Sequence, residues 1–148
     1  MDRDPIGIIV NGATGRMGYH QHLLRSLIPI RDAGGVPLSD GTRQPIRLML
    51  AGRRPEALAE IANRLGVADW TTDLDAALAD PRWTVYMDAA ATSTRADNLR
   101  KAIAADKAIY TEKPIAATLQ EAKEVAHTAK AAGVLTGVVH DKLYLPGF

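Results

Sequence analysis

Ile8-Ile-Val-Asn-Gly-Ala-Thr-Gly-Arg-Met-Gly18 is the stretch whose reading decides the fold. An apolar run ends in glycines at every third position, Gly12, Gly15 and Gly18, and an amphipathic segment follows at once. That pattern reads as strand, tight turn and helix. Gly12 permits a turn that other residues would strain, Gly15 lets backbone N–H groups approach a pyrophosphate, and Gly18 lets the helix pack closely against the sheet. The helix N-terminus then faces an anion. Gly12, Ala13, Thr14, Gly15, Arg16 and Met17 are therefore the candidate phosphate-binding set. One extra residue separates the first two glycines relative to the usual G-x-G-x-x-G fingerprint.

Working outward, the first strand is expected over Ile6–Val10 and the first helix over Arg16–Ile28, with Met17, Leu24, Leu27 and Ile28 buried and Pro29 ending it. Residues 29–45 hold three prolines and three glycines without periodicity, so an irregular loop is expected. It joins a helix end to the next strand's start, away from the strand ends where ligands bind, so surface insertion or subunit contact suits it better than catalysis. The second strand is Ile46–Ala51, followed by Gly52, Arg53, Arg54 and Pro55 and a helix carrying Ala57, Leu58, Ile61, Ala62 and Leu65 before Gly66. Where an NAD-binding fold offers Asp or Glu to the ribose 2′-OH, Arg53 and Arg54 stand here, and a guanidinium suits a 2′-phosphate. NADP is thus favoured, with NAD possible; the alternative is that both arginines merely solvate a helix start.

A short strand near Ala68–Thr71 leads to a small helix capped by Asp73, with Leu74, Ala77 and Leu78 inward. Thr84–Ala89 is largely apolar, as in a strand covered on both faces. At its carboxyl end, Ala91 and Thr92 are small enough for a cofactor to lie close, while Thr92 or Ser93 equally suits a cap for the helix carrying Ala96, Leu99, Ile103 and Ala104. Ala108–Thr111 is a strand with Glu112, Lys113 and Pro114 directly beyond it, on the ligand side of a parallel sheet. An ammonium there can hydrogen-bond a substrate hydroxyl and exchange a proton with it, so Lys113 is the catalytic candidate; a solvated turn is the alternative. Thr118-Leu-Gln-Glu121 is a capping box opening a helix with Leu119, Ala122, Val125, Ala126 and Ala129 before Gly133, and Val134–Val139 is a final strand. The alternation implies an α/β fold: a Rossmann-type, doubly wound parallel sheet in a three-layer α/β/α sandwich.

The length suits one domain, and 18 basic against 17 acidic residues leave a net charge of +1, without the basic run that nucleic acid requires. There is no cysteine, hence neither disulfides nor thiolate metal sites, and no apolar stretch long enough to span a membrane. A cytoplasmic protein with a small-molecule substrate is expected. His20 and His22 lie two apart on a helix and share a face poorly, so no metal site is expected there.

Taken together, the glycine turn, the run Ala102-Ile-Ala-Ala-Asp-Lys-Ala-Ile-Tyr-Thr-Glu-Lys-Pro114 and the helix opening Ala116-Ala-Thr-Leu-Gln-Glu-Ala resemble the glucose-fructose oxidoreductase, inositol dehydrogenase and MocA family over nearly the whole chain. The resemblance implies an oxidoreductase moving hydride between a nicotinamide and a sugar, polyol or related carbonyl compound. Glu112 and Lys113 would be its pair near the nicotinamide ribose and the reacting carbon. It also implies a larger second domain that supplies further substrate contacts, and a homo-oligomer in the full-length form. Residues 1–140 are then the dinucleotide-binding domain and 141–148 the start of a linker, from which Lys142 and Tyr144 are further, weaker candidates. The chain departs from the family after the fourth strand, where Thr92-Ser-Thr-Arg95 lacks the usual proline and histidine. Two other readings compete: a dihydrodipicolinate-reductase-like enzyme, suggested by Gly-Ala-Thr-Gly-Arg-Met-Gly, and a dinucleotide-binding module without chemistry. Extended short-chain dehydrogenases are excluded because no tyrosine has a lysine four residues later.

Overall fold

The computed structural model describes residues 3–147 and, of Tyr144, the backbone only. Six parallel strands form one sheet: β1 (Ile6–Asn11), β4 (Ile46–Ala51), β5 (Asp69–Thr71), β6 (Val85–Asp88), β7 (Ala108–Thr111) and β8 (Thr136–Val138), in the order β5-β4-β1-β6-β7-β8. The chain builds outward from β1 in one direction and then, from β6 on, in the other. The crevice outside the carboxyl ends of β1 and β6 is therefore the topological switch point, where open α/β sheets take their ligands.

Period-two alternation splits the core into two layers. Val10, Leu48 and Leu50 pack on one face with Leu23, Leu58 and Ala62, whereas Ile9, Met49 and Tyr86 pack on the other with Leu99, Ile103 and Val125. Each fully buried leucine contributes about 1.5–3 kcal/mol relative to exposure, so neither face can be left uncovered. The first layer is held by α1 (Met17–Leu27, continued by Ile28–Asp32) and α2 (Pro55–Leu65), the second by α3 (Leu74–Ala79), α4 (Thr92–Ala104) and α5 (Leu119–Ala132).

Several local expectations differ from the structure. The first helix, α1, does not stop at Pro29: Met17–Leu27 is wound as a π-helix, with the Ile28 N–H bonded five residues back to Leu23, and Ile28–Asp32 continues as α-helix. Pro29 falls where the winding changes from π to α. The wider winding also rotates the buried stripe. Leu23 is fully buried with Tyr19, Leu27 and Ile28 packed beside it, while Leu24 is exposed. The stretch expected as a loop contains a two-stranded antiparallel ribbon, β2 (Val36–Pro37) with β3 (Arg43–Gln44). In α5, Val125 and Ala129 face inward but Leu119, in the first turn, is 72% exposed. After β8 the chain makes one 3-10 turn over Asp141–Tyr144. The expectation for the Tyr144 side chain lies outside the described residues.

Candidate dinucleotide-binding site

Gly12 turns the chain at the end of β1 with φ of 81°, and a Cβ there would lie 2.6 Å from the backbone of Ala89 and Ala90. Only glycine fits between the two loops. Gly18 acts differently from expectation: a Cβ on it would come 2.3 Å from the Gly12 carbonyl oxygen, so its absence lets α1 close on the turn itself rather than on the sheet. The N–H groups of Gly12 and Ala13 donate to Ala51 O, and that of Gly15 to Gly12 O. The backbone is thus braced before any ligand arrives.

Helix ends around the crevice share a chemistry. Neither α1 nor α4 has a side-chain cap or an acidic residue in its first turn, and α2 has no side-chain cap. By contrast, Asp73 caps α3 through the Ala76 N–H, and Thr118 with Glu121 forms the capping box of α5. Helix starts without a side-chain cap or a first-turn carboxylate, as in α1 and α4, leave their dipole ends suited to an anion. Thr92 and Ser93 do not cap α4; Ala91 occupies that position.

A groove of about 690 Å³ runs along these ends, lined by Asn11, Gly12, Thr14, Gly15, Gly52, Arg53, Arg54, Ala91, Ser93, Thr94 and Asn98 among others. Of the expected residues it gathers Gly12, Thr14, Gly15, Arg53, Arg54 and Ala91. Ala13 is fully buried in the core, so it can offer a ligand only backbone. Arg16 is exposed at the start of α1, with Met17 half-buried behind it. Thr92 accepts a hydrogen bond from Arg95 at 3.4 Å. Lys113 is exposed just beyond β7, outside the groove lining, and Glu112 beside it is 3% exposed.

Sequence reasoning missed two buried polar arrangements beneath this surface. In the first, Asp88 is fully buried and Arg95 is 3% exposed. Arg95 Nε donates to Asp88 Oδ1 at 3.0 Å, while its other nitrogens reach Ala90 O at 2.6 Å and Pro114 O at 2.5 Å. Tyr86 OH donates to Asp88 Oδ2 at 2.6 Å and accepts from Asn11 Nδ2 at 2.8 Å. Burial, then the neighbouring Asp88 charge, push the Tyr86 hydroxyl well above the usual tyrosine range, so it stays a donor. Arg95 thereby ties the loop after β6 to the segment after β7. The second arrangement pairs His22 on α1 with Glu112, Nε2 to Oε1 at 2.6 Å. His22 is committed to that carboxylate rather than paired with His20. The single cue for either was a charged residue beside an apolar strand end, which does not identify its partner.

A family model described as an oxidoreductase family with an NAD-binding Rossmann fold matches residues 32–140. The chain belongs to the GFO/IDH/MocA oxidoreductase family. The matched residues accordingly form an NAD(P)-binding Rossmann fold, and the dihydrodipicolinate-reductase-like reading is not favoured. The chain is similar to D-xylose dehydrogenase of Paenarthrobacter nicotinovorans, 55% identical over 96% of this chain and 37% of that protein. Among solved structures it resembles an NAD-binding oxidoreductase from Klebsiella pneumoniae, with a TM-score of 0.80 and 26% identity over 97% of this chain and 36% of the other. It also resembles levoglucosan dehydrogenase in complex with NADH and levoglucosan, with a TM-score of 0.75 and 26% identity over 90% and 34% of the two chains. The chain thus spans little more than a third of the length of these relatives. No helix among the described residues is long and apolar enough to cross a membrane.

Proposed function

We propose that this chain is the coenzyme-binding part of an NADP-dependent dehydrogenase that acts on a CH–OH group of a sugar or polyol. The observation carrying the coenzyme reading is the groove itself: the turn before the uncapped α1 and the uncapped start of α4 line it together with Arg53 and Arg54. Neither arginine has an acidic partner within salt-bridge distance among the described residues. Cations at the start of α2 oppose its dipole, so an anion laid over them resolves the cost. A 2′-phosphate supplies that anion, whereas the ribose hydroxyl of NAD would be met by a carboxylate, and Gly52 offers none.

Backbone at Gly12, Thr14, Gly15, Arg16 and Met17 would cradle the diphosphate, with Ala91 and Thr92 alongside. The nicotinamide, when bound, supplies the hydride chemistry. Lys113 then holds the substrate oxygen by hydrogen bond and takes or gives its proton as the alcohol and carbonyl interconvert. The sugar and polyol class follows from the relatives, D-xylose and levoglucosan dehydrogenases among them. Residues 1–140 form the coenzyme domain and 141–148 a linker in this reading, and a chain without cysteine suits the cytoplasm.

Titration of NADPH and NADH into the protein, followed by nucleotide fluorescence, tests the coenzyme choice. Tighter NADPH binding is expected, lost on Arg53→Ala with Arg54→Ala. Tighter NADH binding overturns the assignment of both arginines.

A further inference from the structure

We propose that His22 is a positioning residue: it fixes the Glu112 carboxylate, and through it the backbone at Lys113, so that the nicotinamide half of the coenzyme meets an edge set in advance. The proposal rests on the coenzyme reading above. His22 sits on α1, yet its ring reaches past the end of β6 to the residue that follows β7, 90 positions away in the chain. The contact is 2.6 Å between side chains only 13% and 4% exposed. A carboxylate accepts and does not donate, so the Nε2 of His22 carries the proton in this bond. The other carboxylate oxygen accepts from the Lys113 N–H at 3.2 Å. Both oxygens of Glu112 are therefore engaged within the protein. Its backbone is held as well, the N–H donating to Asp88 O at 2.8 Å and the carbonyl accepting from Thr111 Oγ1 at 3.1 Å.

The consequence is a division of labour on one helix. The first turn of α1 faces the diphosphate, and the next turns hold the carboxylate that braces Lys113. Groups that must meet a ligand at fixed geometry gain from a support locked by packing and hydrogen bonds. Removing His22 leaves Glu112 with an unpaired oxygen in a site that water reaches poorly, and the carboxylate is then free to turn away from the Lys113 N–H.

The test uses His22→Ala and His22→Gln in the full chain, each titrated with NADPH and with 2′,5′-ADP, which carries the phosphorylated adenosine half but no nicotinamide. Glutamine places an amide donor near the position of the imidazole Nε2. The alanine variant is expected to bind NADPH about tenfold more weakly while 2′,5′-ADP stays within about twofold, and glutamine restores most of the loss. Unchanged NADPH binding in the alanine variant overturns the proposal. So does an equal loss for both ligands, which marks a purely structural role, or a glutamine variant as weak as the alanine one. A parent protein that binds neither ligand overturns the coenzyme reading, and this one with it.

Discussion

Replacing Arg95 with leucine tests whether the buried polar cluster under the groove holds the domain together. Leucine fills much of the volume but leaves the fully buried Asp88 without its cation and strips the bonds to Ala90 O and Pro114 O. Asp88 keeps the Tyr86 hydroxyl and the Ala90 N–H, so it is under-satisfied rather than bare. Breaking one side of a buried pair typically costs about 3–5 kcal/mol, because the surviving charge loses its compensation. In a domain near this size that corresponds to a fall in Tm of about 6–20 °C. Urea unfolding followed by circular dichroism measures the cost directly, and the double variant Arg95→Leu with Asp88→Asn should recover a substantial part of it, since no charge is then stranded. Arg95→Lys keeps the charge but not the planar fork, and should fall between parent and leucine. A loss below about 1 kcal/mol for the leucine variant, or a double variant no better than the single, would refute the reasoning.

A Cβ on Gly52 would meet only the Leu58 side chain, at 3.5 Å, so Gly52→Asp is expected to fold normally and to move binding preference from NADPH toward NADH in paired titrations. Gly18→Ala forces a methyl to 2.3 Å from the Gly12 carbonyl oxygen, and calorimetry should show loss of stability together with weakened nucleotide binding, because the turn must shift. The raised Tyr86 hydroxyl contributes stability that is fully present below the ordinary tyrosine range and is lost as pH climbs above about 10, where the unfolded chain releases its proton first. Tyr86→Phe should therefore lower stability at neutral pH, by removing the bonds to Asp88 and Asn11, yet show a shallower alkaline decline in denaturation across pH.

What was legible in the chain was what is encoded locally. The Asp73 cap, the Thr118 and Glu121 box, and the left-handed helix ends at Gly66 and Gly133 each depend on residues within one turn of one another. The strand Ile46–Ala51 matched residue for residue because its apolar run has sharp edges at Pro45 and Gly52. Helix α1 departs from its expected stripe because its winding changes the spacing that a helical pattern presumes, which moves burial from Leu24 to Leu23. The ribbon pairing Val36 with Gln44 comes from backbone bonds that composition does not announce. Likewise, nothing near Asp88 or Glu112 reveals that one is bound by Arg95 and the other by His22, since those partners meet only once the sheet has brought distant segments side by side.

The room for a Cβ at Gly52 has a bearing on ancestry as well as on binding. Two of the four glycine codons become aspartate codons by a single base change, and a Cβ at this site meets Leu58 at ordinary contact distance. On the proposed reading, a lineage carrying this domain can therefore begin to move from one redox pool toward the other in a single mutational step, with Arg53 and Arg54 still in place.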